Sequence, residues 1–442
     1  MTSPSLYKQI FALSLPIIIS NISVPLLGLV DTAVVGHLSD ASYLAGVTLG
    51  ATLFSFLFWG FGFLRMGTTG AVSQAAGADD WSAVIRLLQQ SVVMALGIAL
   101  LLLLFQFWLV PAGLALLADA GPAREQAALY AGVRIWSAPA VLINYVLMGW
   151  FLAQKNSRFA LQMLLLGNGI NILLDLVFVM LLGWQVQGVA FASLIADYSV
   201  LIAGGWLAFR RVSQLLPKGA RPWQSWVAEE FKALFRVNHQ LMVRTWLLLG
   251  SMAYFTSQGA AFGSETLAAN AILMQLIMMA SYALDGYAHA AEALVGQAEG
   301  ADNAGLRHRT VCAGALMSAL TVALISLCYL LWGAQLIGLL TDLSQVRQLA
   351  QDYLLWTVLI PLLASGSYLL DGVYIGMMRS DVMRNGMLLA FAAFLLLEWG
   401  LSGWANQGLW AAFAGFMLLR SLVMALHYLF VINRPAGHQP PA

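Results

Sequence analysis

The sequence predicts an all-α polytopic membrane protein, with twelve transmembrane helices in two pseudo-symmetric six-helix bundles. Three observations carry that prediction. The 442 residues are 61% hydrophobic and only 9% charged, and the mean hydropathy of +0.81 lies far outside the range of soluble globular domains. Apolar segments long enough to cross about 30 Å of hydrocarbon, roughly 20 residues each, follow one another along the whole chain. The second half of the chain repeats the first at a nearly constant offset.

Taken in order, the first six spans fall at 8–36, 43–72, 83–110, 124–150, 158–183 and 187–211. A polar connection with Lys218, Arg221, Glu229 and Glu230 follows. Six more spans are expected at 232–260, 267–297, 308–337, 348–377, 384–402 and 407–432. The implied domains are an N-lobe over 1–213, a cytoplasmic linker over 214–230, a C-lobe over 231–432 and a tail over 433–442. The first apolar run is interrupted by Pro16 and Pro25 and lacks the pattern of a cleaved signal peptide, so the N-terminus is expected to be retained.

An even number of spans puts both termini on one side of the bilayer. Lys8, Arg86, Lys155, Arg158, Arg210, Arg211, Lys232, Arg236, Arg307, Arg309, Arg379, Arg384 and Arg434 all map to that side, with the linker lysine and arginine. The opposite loops hold little beyond Arg124 and Arg347. The excess of basic residues marks the cytoplasmic face, so both termini are expected in the cytoplasm.

The repeat has a fixed register. Gly36 and Gly259 are 223 residues apart, and the same shift carries Gly149 onto Gly372, Ser157 onto Ser380 and Asp175 onto Glu398. It also carries Gly77-Ala78-Asp79 onto Gly300-Ala301-Asp302. The shift then falls to 220 at Gln187-Gly188 and Gln407-Gly408. One register held over six spans points to duplication. Six is an even number, so the halves share one topology and are related by an axis along the membrane normal, which makes a transporter the default reading.

Several function classes are excluded. Cys312 and Cys328 lie in one apolar segment, and the six histidines show no metal-ligand spacing, so no metal centre or cofactor is expected. A net charge of +1 offers no nucleic-acid surface. GFGFLRMG at 60–67 falls inside a span without a βαβ context, so it is no nucleotide-binding loop. No nucleophile with a nearby base is identifiable, which argues against an enzyme. Energy must then come from an ion gradient, with H+ or Na+ as the coupling ion.

The chemistry of the first half centres on GNGINILLDLVF at 167–178. Asn168, Asn171 and Asp175 fall on one helical face there. A carboxylate near the bilayer centre costs about 2.5–3.5 kcal/mol on insertion scales, so it faces the bundle interior or a water-filled path. Such a group suits proton exchange or capture of a small cation, and helix-helix adhesion is the plainer alternative. Asp31, six residues after Pro25, sits where a helix kink frees backbone carbonyls. Asp31, Asn171, Asp175 and Ser193 together make an oxygen-rich set for Na+ or for a protonatable pair, with Asp197 one turn after Ser193. Separate structural roles for these residues are the alternative.

In the second half, Arg244, Asp285, His289, Glu292, Asp371 and Glu398 lie in or near spans. Charges of both signs imply pairing, of Arg244 with Asp285 or Asp371. The pair is either a substrate or gating surface or a structural lock. Met274, Met278, Met279, Tyr282 and Tyr287 on the eighth span offer an adaptable lipophilic wall for varied compounds, or simple packing.

Five stretches resemble the multidrug and toxic compound extrusion (MATE) family, and in particular its DNA-damage-inducible branch. They are LPIIISNISVPLLGLVDTAVVGHL (15–38), FLRMGTTGAVSQAAGA (63–78), GNGINILLDLVFVM (167–180), NAILMQLIMMASYALDGYAHAAEALVGQAEGA (270–301) and YLLDGVYIGMMRSDVMRN (368–385). The resemblance spans essentially the whole chain. It implies a V-shaped pair of lobes in the bacterial inner membrane that exports lipophilic or cationic small molecules by alternating access in exchange for H+ or, less favoured, Na+, and a monomer is the simplest expectation. It assigns the first-span acid to Asp31, the fifth-span amide and acid to Asn171 and Asp175, and the sixth-span hydroxyl to Ser193 in place of the common Thr. A Na+ ion at Asp31, Asn171 and Asp175 is one form of that site. Pro25 becomes the hinge of the first helix. In other branches a C-lobe cation site pairs an acid matched by Asp371 with a seventh-span Glu, and here Arg244 stands in that span instead. The departure favours coupling through the N-lobe. A lipid-linked precursor or polysaccharide flippase of the same superfamily is the rival within transporters, and a membrane sensor or enzyme the rival outside them.

Overall fold

The computed structural model describes residues 4–35, 41–216 and 224–432, with side chains described for 5–22, 42–216 and 224–432. All regular structure among these residues is helical. The first half contributes α1 (Pro4–Val35), α2 (Ala41–Trp59), α3 (Phe63–Gly77), α4 (Trp81–Leu117), α5 (Pro122–Arg134), α6 (Ala138–Ala153), α7 (Arg158–Asp175) and α8 (Gln185–Leu215). The second contributes α9 (Ala228–Ala261), α10 (Ser264–Gly300), α11 (Ala304–Leu340), α12 (Ser344–Asp352), α13 (Leu354–Gly376), α14 (Ser380–Gly400) and α15 (Ala405–His427).

Eleven segments among the described residues are long and apolar enough to cross a bilayer. Several are built from two helices: α2 and α3 are joined through a turn at Gly60–Gly62, and α5 and α6 through a 3-10 turn at Ile135–Ser137. The twelfth expected span is α9, whose 34 residues give about 50 Å of helix. Its shortfall is in apolarity, because Asn238, His239, Gln240 and Arg244 sit inside it.

By packing, the chain divides into one unit of Ile19–Asn238 and another of Met1–Ile18 with His239–Ala442. The first turns of α1 therefore belong with the second half, and those of α9 with the first. In the unit of 19–238, Trp150 is fully buried, donates its indole N–H to the Val84 carbonyl at 3.0 Å, and Phe151 stacks on Phe159 at 3.9 Å. In the other unit Phe255, Phe394, Trp410, Phe413 and Phe416 form an aromatic core, with Phe255 and Trp410 edge to face at 4.7 Å.

The duplication is written into the backbone itself. Among the described residues, six non-glycine positions adopt left-handed φ, and they form three pairs: Asp79 with Asp302, Lys155 with Met378, and Gln185 with Ala405. The first two pairs are 223 residues apart and the third 220, the same two offsets found in the residue types. Asp80 caps α4 by accepting from Ala83 N at 2.9 Å, and its image Asn303 caps α11 by accepting from Leu306 N at 2.8 Å. A Cβ on Gly149 of α6 would strike the Arg65 carbonyl of α3, and one on Gly372 of α13 would strike the Ala288 carbonyl of α10. Only glycine allows those two helix pairs to approach so closely. The register slips by three residues between Asp175 and Gln187, a stretch with irregular helix of its own. Directly after Asp175 the chain widens into a π-helical turn over Leu176–Leu181, a feature enriched at functional sites.

Candidate functional site

In the first half, α7 and α8 run side by side and bring four of the expected polar residues together. Asn171 donates its amide to Ser193 Oγ at 3.2 Å, and both line a cavity of about 220 Å³ with Asn168, Asp197, Met148, Met163 and Arg134. Asp175 lies one turn beyond Asn171, at 0% exposure, off the cavity lining and at the very start of the π-helical turn. The carboxylate is thus shielded at the place where the helix is least regular. Asp31 and Pro25 lie in α1, outside the residues whose side chains are described.

Asp197 has a partner that the sequence reading did not single out. Arg134, the last residue of α5, donates to Asp197 Oδ2 at 2.5 Å, and its guanidinium lies over the Phe58 ring at 5.3 Å. Asn144 holds the Asp197 backbone by donating to its carbonyl at 3.1 Å. Tyr145 is half-buried beside them, in the field of Asp197, Arg134 and Arg65. Asp197 therefore belongs to an ion pair on the cavity wall, one helical turn from Ser193.

The second half builds a different cluster. Asp371 Oδ2 accepts from Arg244 and also from Arg420, at 3.1 Å in the latter case. Arg244 is 6%, Asp371 8% and Arg420 3% exposed. Of the two partners expected for Arg244, Asp371 is the one found, and the second guanidinium is an addition. Arg420 also sits over Phe416 at 5.5 Å. An aspartate oxygen that accepts from two buried arginines is already fully engaged, which suits a structural lock far better than a cation carrier.

The remaining candidates spread along α10. Asp285 acts electrostatically on Tyr282 and on Tyr368, the latter also in the field of Arg420 and Asp371. Tyr287 is buried and shares a 2.9 Å hydrogen bond with Thr321, so it serves packing between α10 and α11. Met274 packs against the aromatic core, and Met278 is half-buried. Glu398 accepts a 2.9 Å hydrogen bond from Tyr254.

Two features escaped the sequence reading altogether. Arg134 and Arg420 are charges deep inside otherwise apolar spans, a signal available from position alone. Asn270 and Asn406 exchange reciprocal amide hydrogen bonds at 2.7 and 3.0 Å, with Trp410 donating to Asn270 Oδ1 at 2.9 Å. Lone buried amides are unremarkable in sequence; their mutual satisfaction appears only in three dimensions.

Comparison with known proteins gives a consistent result. The MatE family model matches residues 16–177 and 242–400. The chain is 41% identical over 418 residues to DNA damage-inducible protein F of Escherichia coli (strain K12), covering 95% of this chain and 91% of that protein. It is 25% identical over 429 residues to Protein DETOXIFICATION 44, chloroplastic, of Arabidopsis thaliana, covering 93% of this chain and 80% of that one. Among solved structures, an outward-facing multidrug resistance MATE family transporter of the MOP superfamily superimposes with a TM-score of 0.84 at 20% identity, over 95% of this chain and 94% of that one.

Proposed function

The chain belongs to the MatE family, whose members are transporters rather than enzymes, and from that premise we propose that it exports lipophilic, cationic organic compounds by antiport. The coupling ion is H+ in preference to Na+, and the coupling residues are Asp31 and Asp175 of the N-lobe, with Asn171 and Ser193 beside them. The protein works by alternating access, as a monomer in the bacterial inner membrane with both termini cytoplasmic.

One observation carries the pairing of Asp31 with Asp175. At the 223-residue shift their images are Tyr254 and Glu398, and these two are hydrogen-bonded at 2.9 Å. A phenol donating to a carboxylate marks a spot where one proton sits between two oxygens. The corresponding positions of the N-lobe both carry carboxyl groups, and we take these two acids as the groups that exchange the coupling proton. Protonation from outside weakens the hold on a cationic ligand, and reciprocity requires the ligand to weaken proton binding by the same factor. Pro25 gives α1 its point of bending as Asp31 is neutralised.

The C-lobe supports the same division of labour, because Arg244 and Arg420 leave Asp371 little capacity for a second cation. The same two arginines are the observation that favours the second reading, a flippase for a lipid-linked anionic head group. Asp371 already engages both, which counts against it.

The test is efflux of a fluorescent lipophilic cation from proteoliposomes, under a pH gradient or a Na+ gradient imposed separately. Wild-type flux driven by pH and abolished in Asp31→Asn is the expected result. Flux driven by Na+ alone would replace the proton by a metal ion at Asp31, Asn171 and Asp175, and absence of flux under both gradients would turn the case toward the flippase.

A further inference from the structure

The cavity between α7 and α8 holds a positive charge that the coupling set does not require. Arg134 reaches it from the point where α5 tightens into the 3-10 turn of Ile135–Ser137, and it lines the wall together with its partner Asp197. Its side chain is 15% exposed and that of Asp197 25%. Arg134 is further held by Tyr130, through a hydrogen bond, and by the face of Phe58. Across the cavity stand neutral groups, Asn168, Asn171 and Ser193, and the thioether of Met163.

Two facts argue that the pair does more than bind helices together. The helices have other fastenings here: Asn144 donates to the Asp197 carbonyl at 3.1 Å, and the Tyr198 hydroxyl donates to the Trp136 carbonyl at 3.0 Å. The second half of the chain also carries no charges at the equivalent positions, since the images of Arg134 and Asp197 at shifts of 223 and 220 are Thr357 and Met417, both buried. An ion pair that the duplicated fold dispenses with, and that faces a cavity instead of a dry core, is positioned to exchange partners.

We propose that Arg134 is a tethered counter-cation: it occupies Asp197 while the cavity is empty and gives way when the cationic head of a ligand enters. The inference rests on the export of cationic compounds proposed above, and it adds a specificity-determining residue to that reading. A cavity of about 220 Å³ is smaller than the usual 300–1,000 Å³ of small-molecule sites, so it takes a cationic head group and leaves the lipophilic body outside. Arg134 sets the threshold: a ligand must offer Asp197 a better partner than a guanidinium already bound at 2.5 Å. Weakly basic or neutral compounds do not displace it.

The test is equilibrium binding of benzyltrimethylammonium, and of neutral benzyl alcohol as control, to the full-length protein in detergent at mildly alkaline pH. Arg134→Gln is expected to bind the cation about tenfold more tightly, within the ordinary range of coupling between sites, with no change for the alcohol. Asp197→Asn, which leaves Arg134 without its carboxylate, is expected to bind the cation more weakly. The double variant returns close to wild type, because the cavity is again neutral, and Arg134→Lys stays near wild type. Unchanged or weakened cation binding in a folded Arg134→Gln overturns the inference. If that variant does not fold, undiminished cation binding by Asp197→Asn overturns it instead. A wild-type protein that binds no cation at all removes both this inference and the export reading, whereas a cation-binding wild type insensitive to these changes removes this one alone.

Discussion

The two halves share a backbone register almost residue for residue, yet each puts its polar cluster where the other has apolar packing. At the observed shifts, Asn168, Asn171, Ser193 and Asp197 of the N-lobe fall on Phe391, Phe394, Phe413 and Met417, members or neighbours of the C-lobe aromatic core. In the opposite direction, Asp371 and Arg420 fall on Met148 and Val200, which line the N-lobe cavity. The reciprocal amides Asn270 and Asn406 fall on Val47 and Val186, both buried. One position is kept: Tyr145 and Tyr368 are images of each other, and each lies half-buried in the field of its own ion cluster. Duplication preserved the features that the fold needs, namely caps, left-handed turns and glycine contacts. The chemistry then diverged, one lobe acquiring a polar cavity and the other an arginine-locked core.

That contrast predicts where substitutions hurt. Asp371→Ala leaves two buried guanidiniums without their common partner and should lower unfolding free energy by about 3–5 kcal/mol, the usual cost of breaking a buried pair. Asp175→Asn, a neutral isostere, should leave detergent melting nearly unchanged while removing coupling. Similar melting losses in the two variants would erase the distinction between a structural and a functional cluster.

Gly149→Ala and Gly372→Ala sharpen the symmetry itself. Each Cβ would meet a backbone carbonyl of the facing helix, so each should cost about 1–3 kcal/mol as the helices are pushed apart. Equal shifts in melting temperature support one shared packing solution, and a silent substitution in either lobe would break the equivalence. The smallest effect is expected at the left-handed turns. Lys155 and Met378 have φ of 61° and 57°, and Gly at either position should stabilise by about 1 kcal/mol or less, since relief of the backbone penalty is partly offset by unfolded-chain entropy.

Much of the fold was legible in the sequence because it depends on signals confined to short stretches. Apolar length defined the spans, and a repeated Gly-Ala-Asp run, matched glycines and a matched serine marked the duplication. The N-lobe polar set was legible for the same reason, as Asn168, Asn171 and Asp175 share one face of a single helix. Arg134 and Arg420 were harder to see. Each stands out as a charge inside an apolar span, but their partners are 63 and 49 residues away in the chain, so the pairing itself is not readable from the flanking pattern. The π-helical turn after Asp175 had a trace in the sequence, the fall in offset from 223 to 220, but an insertion of three residues has no unique geometry until the helix is built.

The central claim is that coupling resides in the N-lobe acids and not in the arginine-locked core. It is tested most directly by following proton release when a lipophilic cation is added to the purified protein in weakly buffered solution. The account predicts release from wild type, undiminished release from a variant whose C-lobe triad is replaced by apolar residues of similar volume (Arg244→Met, Asp371→Leu, Arg420→Met), and none from Asp175→Asn. Proton release that persists in Asp175→Asn and vanishes in the C-lobe variant would contradict it.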